Sequence, residues 1–255
     1  PYCYSFMYTG RQCGVEASSN PLHQSPWTVL LEFYRRGQLT EFRCGGTLID
    51  SLHVITAAHC VKRIKHHLLQ VRLGDYDLSS KVDCIDGVCA DPFVTRVVTE
   101  VFVHPGFNQL EHDVAILKMN EPVTFTDFIR PVCLPTGTVD DTTVFHAAGW
   151  GEVIHTGRYS DVKKFIPLPF WPHDDCRHIY RRDVIPRLSI CAGGRKDFDT
   201  CRGDSGGPLT AKRRNIELFG ITSSGPTSCG REGAPGIYTS VREHLPWIHQ
   251  VMRVT

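Results

Sequence analysis

Asp199-Thr-Cys-Arg-Gly-Asp-Ser-Gly-Gly-Pro208 decides the reading of this chain. One hydroxyl nucleophile, Ser205, stands among Gly203, Gly206 and Gly207. Glycine has no Cβ, so it turns sharply and brings backbone N–H groups close to a reacting carbonyl. A serine hydroxyl is weakly nucleophilic until a base removes its proton, so the run calls for a histidine elsewhere. Thr56-Ala-Ala-His-Cys60 supplies His59, and His112-Asp-Val-Ala-Ile-Leu117 supplies Asp113 to orient it. A lone histidine, aspartate or serine is more often a core, loop or turn residue than a reactive one. The three contexts together, in this order, reverse that balance.

Working outward, 255 residues suffice to bury a large core, and all-β chains of this length often form one unit. Apolar content of 41% and charged content of 22% are ordinary for a globular protein. A net charge of +1 gives no bulk reason to expect nucleic acid or a membrane as partner. No apolar run approaches the roughly 20 residues that span a bilayer. The start, Pro1-Tyr-Cys3, does not read as a signal peptide, so the expectation is a mature or excised chain. Eleven cysteines without paired CxxC or HxxxH spacing favour disulfides over zinc, and an oxidising, extracellular compartment. The odd count leaves one thiol for another chain or a segment not included here.

Short β-rich runs separated by Gly, Pro, Asp and Asn cover 27–33, 44–49, 53–56, 69–73, 94–103, 114–118, 144–148, 164–168, 216–222 and 236–240. Many short strands with turns between them indicate an all-β barrel or sandwich rather than βαβ units. Val241, Leu245, Ile248 and Met252 fall at helical spacing, so a C-terminal amphipathic helix is expected over 241–252 despite Pro246. There is no Asn-x-Ser/Thr sequon, so N-glycosylation is not expected.

Together with Pro26-Trp27, Cys44-Gly-Gly-Thr-Leu-Ile49, Arg130-Pro-Val-Cys-Leu-Pro135, Gly149-Trp-Gly151 and Pro235-Gly-Ile-Tyr-Thr239, these motifs resemble the trypsin/chymotrypsin family of serine endopeptidases over nearly the whole chain. The resemblance implies two six-stranded antiparallel β-barrels and a C-terminal helix, with the active site between the barrels. It divides the chain into a segment 1–25, a light-chain or linker remnant, and a protease domain 26–255. Within that domain the barrels span about 26–135 and 136–240 and the helix about 241–252. Carried over from the family's well-known triad, His59 is the general base and acid, Asp113 fixes its tautomer, and Gly203 and Ser205 N–H groups form the oxyanion hole. The resemblance also places Asp199 at the base of a pocket selecting Arg or Lys, kept open by Gly225 and Gly236, and Ser223 behind the triad against the substrate backbone. Ser224 departs from the family, which usually has an aromatic there. The serine removes apolar surface from the substrate groove.

By the same resemblance the disulfides are Cys13–Cys133, Cys44–Cys60, Cys84–Cys89, Cys176–Cys191 and Cys201–Cys229, with Cys3 left for a disulfide partner. The extra Cys84–Cys89 pair and the Cys13-Gly14 opening look like arthropod clip-domain, easter-type cascade proteases. No cofactor is required for such chemistry. Asp75, Asp77, Asp83 and Asp86 cluster in one loop, and hard oxygen donors there suit Ca²⁺, with Asp75 and Asp83 as candidate ligands.

Family members are cut before an Ile-Val-Gly-Gly-like sequence, and the new amino terminus pairs with the aspartate before the nucleophile, here Asp204. Between Cys13-Gly14 and Pro26-Trp27 no such sequence and no Arg or Lys occurs. About eight residues of the family pattern are missing, so a precursor-like form is expected. The functional expectation is a secreted endopeptidase cutting after Arg or Lys, acting on a protein substrate that is another protease zymogen in an immune or developmental cascade, and controlled by a serpin-type inhibitor. The competing expectation is a non-catalytic homologue serving as a binding adaptor.

Overall fold

The computed structural model describes residues 13–62, 68–109, 111–180 and 185–255, with only the backbone of residues 41 and 42. Cys3 and the expected partner of its thiol lie outside the described residues. The first six long strands are β1 (Thr28–Arg35), β2 (Gln38–Leu48), β3 (His53–Thr56), β4 (Leu68–Leu73), β7 (Val94–Val103) and β8 (Ala115–Met119); the short pair β5 (Cys84–Ile85) and β6 (Val88–Cys89) lies between them. They close into a barrel in the order β1-β2-β3-β8-β7-β4. Closure leaves no unpaired edge for another chain to add to.

The alternation of side chains explains which face each strand turns inward. Along β4, Leu69, Val71 and Leu73 are buried while their neighbours are half-exposed, the period-2 pattern of a strand with one dry face. Trp27, Phe33, Leu48, Ile55, Ile116 and Leu117 fill the core of this barrel. Each such buried side chain contributes about 1.5–3 kcal/mol through apolar area removed from water.

The second barrel is built from β9 (Val144–Gly149), β12 (Lys164–Trp171), β13 (Ser189–Gly193), β14 (Pro208–Lys212), β15 (Ile216–Ser224) and β16 (Pro235–Ser240), while β10 (Glu152–Val153) and β11 (Arg158–Tyr159) form a separate hairpin. Its strands follow in the order β12-β13-β16-β15-β14-β9. Phe145, Leu168, Leu209, Phe219 and Tyr238 occupy its interior. All strand pairs are antiparallel, so the all-β, double-barrel expectation holds; β13 and β14 are the two long strands that the sequence runs omit.

Among the described residues the α-helices are α1 (Ala58–Lys62), α2 (His173–Ile179) and α3 (Val241–Val254), the first two short. The helix α3 passes through Pro246 without breaking. Although it follows the second barrel in sequence, Val241, Ile248 and Val251 pack into the core of the first, so the terminal helix ties the two barrels together.

The barrels approach closely where Gly45 of β2 faces the nucleophile loop. Gly45 N donates to the Ser205 carbonyl at 2.7 Å, and a Cβ on Gly45 would lie 3.0 Å from Gly207 Cα. Only a residue without a side chain allows that approach. Cys44–Cys60, Cys201–Cys229, Cys13–Cys133, Cys84–Cys89 and Cys176–Cys191 are all disulfide-bonded. Cys13–Cys133 pins the start of the described chain to the barrels, and Gly14 N bonds the Pro131 carbonyl at 2.8 Å.

Candidate active site

His59 sits in the single turn of α1, and Asp113 in the turn that leads into β8. His59 Nδ1 lies 2.7 Å from Asp113 Oδ2, and the His59 backbone N–H donates to Oδ1 at 2.8 Å. An ionised carboxylate only accepts, so Nδ1 carries the proton and Nε2 keeps its lone pair. Ser223 Oγ donates to Asp113 Oδ2 at 2.6 Å, and Thr239 Oγ1 donates to the Asp113 carbonyl at 3.0 Å. The acid is 2% exposed, while the imidazole is open to solvent along one edge, with 31% of its side chain exposed. A buried acid that holds one tautomer of a reachable imidazole is the arrangement a general base needs.

Ser205 borders the same disulfide as His59. Cys60 Sγ lies 3.6 Å from the Ser205 carbonyl and 3.8 Å from His59 Nε2. Among the described residues no hydrogen bond joins Ser205 Oγ to His59; such bonds often tighten only once substrate is bound. The N–H groups of Gly203 and Ser205 donate to no protein acceptor among the described residues, whereas Asp204, Gly206 and Gly207 N–H groups all do. Gly203 has φ +92°, and a Cβ there would lie 2.8 Å from the Tyr159 ring. The position is therefore confined to glycine by both conformation and space.

A cleft of about 260 Å³ opens beside Ser205, walled by Thr200, Arg202, Ser223, Ser224 and Gly225. Ser224 is exposed at its rim. A Cβ on Gly225 would lie 3.8 Å from Gly236 Cα, so the two glycines face each other. Asp199 does not line this cleft; it borders a neighbouring cavity that it shares with Asp204. Its Oδ2 accepts from Gly230 N at 3.2 Å, while Oδ1 is buried with no hydrogen-bond partner. Burial pushes its carboxyl up to about 6, against the lowering effect of the Gly230 and Thr200 N–H groups.

Asp204 is buried, accepting from Gly151 N at 2.9 Å and from Cys201 N at 2.9 Å. No cation pairs with it among the described residues. Burial raises its carboxyl to about 6, with the two N–H groups opposing and the charge of Asp199 adding to the rise. The adjoining cavity, about 370 Å³, is lined largely by Ala147, Ala148, Val153, Ile154, Phe165 and Ile166. An apolar hole ending in an unneutralised carboxylate suits an apolar group that carries an ammonium.

The acidic loop does not fit the expected calcium site. Asp75 pairs with the Arg72 guanidinium. Asp83 Oδ2 accepts from Tyr76 and Asp77 N–H groups, each at 3.0 Å, and its Oδ1 accepts from Ser80. Lys163, buried, lies near enough to Asp75, Glu16 and Asp83 for their charges to support its ammonium, although desolvation dominates and lowers it to about 8. Calcium takes six to eight oxygen ligands, with charged carboxylates setting its affinity. Here protein donors and cations already engage the Asp75 and Asp83 carboxylates, and Lys163 helps to balance the loop.

Residues 15–248 match the trypsin family model. Phenoloxidase-activating enzyme 1 of Spodoptera litura is 35% identical, covering 94% of this chain and 69% of its own length. Melanization protease 1 of Drosophila melanogaster is 38% identical, covering 94% of this chain and 65% of its own length. The crystal structure of Drosophila Grass, a clip serine protease of the Toll pathway, superposes with a TM-score of 0.83 at 32% identity, over 97% of this chain and 76% of that one. Trypsin-family proteases generally need no cofactor. Double barrel, oriented imidazole and relatives agree: the chain belongs to the trypsin family and is a serine endopeptidase.

Proposed function

We propose that the chain cleaves peptide bonds after Arg or Lys through Ser205, His59 and Asp113. Ser205 Oγ attacks the carbonyl carbon while its proton passes to His59 Nε2. The tetrahedral oxyanion is held by the N–H groups of Gly203 and Ser205. Collapse breaks the C–N bond, His59 protonates the departing amine, and water then hydrolyses the acyl-enzyme by the same proton route. The observation that carries this reading is the 2.7 Å bond from His59 to Asp113 beside two unengaged N–H donors at the nucleophile. Asp199, with its bare buried oxygen, is assigned the guanidinium or ammonium of the substrate. Ser223 offers its backbone to the extended substrate.

Asp204 is assigned the ammonium of an amino terminus created by proteolysis, its apolar side chain filling the cavity beside it. Until that charge arrives the chain is latent. The names of the relatives, a phenoloxidase-activating enzyme and a melanization protease, support a cascade role, and the disulfides support an extracellular setting; another protease precursor is assigned as substrate and a serpin-type inhibitor as control. The test is hydrolysis of peptides differing only in the residue before the cut, with and without added Ile-Val dipeptide. The reading requires turnover of Arg and Lys peptides, increased by the dipeptide. A chain that stays inert under both conditions and after limited proteolysis is instead the binding adaptor, a reading that the missing Ile-Val-Gly-Gly-like segment favours.

A further inference from the structure

Three histidines from distant parts of the chain converge beside the acid of the site. His104 follows β7, His112 is bonded directly to Asp113, and His244 lies in the first turn of α3. His112 Nδ1 is 3.0 Å from His244 Nε2, across 132 residues of sequence. His104 stacks on His112 with ring centroids 4.4 Å apart and meets His244 edge-on at 5.3 Å. One ring nitrogen from each lies within 4.8 Å of the other two.

The surroundings prepare His244 to act as a ligand, whereas His104 Nδ1 accepts from Gly106 N at 3.1 Å, a bond that yields when an ion binds. His244 Nδ1 donates to the Ser240 carbonyl at 2.6 Å, which fixes its tautomer and points the Nε2 lone pair at the cluster; metal-bound histidines are held in this way. His244 is buried, whereas His104 and His112 are half-exposed, so an ion can enter from solvent. Burial, with the other two rings adding, lowers His104 to about 4, and burial also lowers His244. Neutral imidazole is the form that binds metal. Among the described residues the other grouping of this kind, Cys44, His59 and Cys60, is ruled out because both sulfurs form a disulfide.

We propose that His104, His112 and His244 bind one zinc-class divalent ion, with the fourth position open to water. Three imidazoles without a carboxylate among them suit zinc, copper or nickel rather than calcium or magnesium. On binding, the proton between His112 Nδ1 and His244 Nε2 moves to His112 Nε2, freeing both facing nitrogens. With Zn–N bonds of about 2.0–2.1 Å in tetrahedral geometry, those nitrogens separate from 3.0 Å to about 3.3 Å. The stacked His104 and His112 rings tilt so that their lone pairs converge. His112 has φ +55° and its carbonyl accepts from Val114 N at 2.8 Å across Asp113. An ion pulling on this tight turn displaces Asp113, so zinc inhibits.

Calorimetric titration of the metal-free chain with zinc tests the site, and absorption of the cobalt-substituted chain reports its geometry. One zinc is expected per chain, with affinity at least about tenfold weaker in both His104→Gln and His244→Gln. The first variant leaves the His244–Ser240 bond intact, and circular dichroism checks that the second folds. Absence of binding, or binding unchanged in both variants, overturns the site. Inhibition of peptide turnover by zinc, lost in His104→Gln, tests the coupling. That arm rests on the proposed role of Asp113, whereas the calorimetry does not.

Discussion

The pH dependence of benzamidine binding tests the role of Asp199. The amidinium remains protonated throughout the range, so only the protein titrates. In the empty pocket burial holds the Asp199 carboxyl at about 6. At pH 5 about one molecule in eleven is ionised, so affinity is about tenfold below its plateau above pH 7, and falls by a further factor of about ten per pH unit below that. Asp204 titrates in the same range and senses the charge of Asp199, so the observed midpoint belongs to the pair. Asp199→Asn separates them. It removes the charge-assisted bonds, worth about 1.5–3 kcal/mol, and leaves binding roughly 10- to 150-fold weaker and flat with pH. Equilibrium titration by fluorescence or calorimetry between pH 4.5 and 8 provides both curves. A flat wild-type curve, or an Asn variant that binds like wild type, refutes the assignment of Asp199 to the substrate cation.

Asp204 makes the latent chain sensitive to pH in stability as well. Its folded pKa, about 6, lies above the unfolded value of about 3.9. Its contribution is therefore fully present below the unfolded value and lost as pH rises through 6, on the order of 3 kcal/mol by pH 7. Urea unfolding at pH 4 and pH 7 should show a larger loss for wild type than for Asp204→Asn; equal losses contradict the unpaired buried carboxylate. Gly203→Ala forces a Cβ against Tyr159 at a φ suited to glycine, displacing an oxyanion donor, and should lower kcat about a hundredfold with KM little changed. Unaltered kcat would remove Gly203 from the mechanism. Since Arg72 and Lys163 already balance the acidic loop, calcium should leave the melting temperature unchanged, and a clear rise would show that ligands rearrange to hold it.

Much of the fold could be read where local chemistry is strong. Alternation in β4 and the β-branched run of β7 identify strands directly, and the GDSGGP run locates the nucleophile. The strands β13 and β14 escape because Ser-Ile-Cys-Ala-Gly193 and Pro-Leu-Thr-Ala-Lys212 carry small residues; Ala192 and Ala211 are buried by barrel closure rather than by their own hydrophobicity. The end of α3 extends beyond the last periodic apolar residue, since helix ends respond to tertiary packing. The acidic loop misleads as sequence because its neutralising charge, Lys163, comes from another barrel. Thr239 has no local signal for its bond to the Asp113 carbonyl, and the same is true of the three converging histidines. Contacts that close only through the fold leave no spacing to read.

The account depends most directly on Ser205 being activated by His59. Peptide mapping after treatment with a fluorophosphonate, on the chain supplied with Ile-Val dipeptide, measures that reactivity. The expected result is a single adduct on Ser205, abolished in His59→Ala and in Ser205→Ala. An adduct on another residue, or equal labelling of Ser205 without the imidazole, would contradict it.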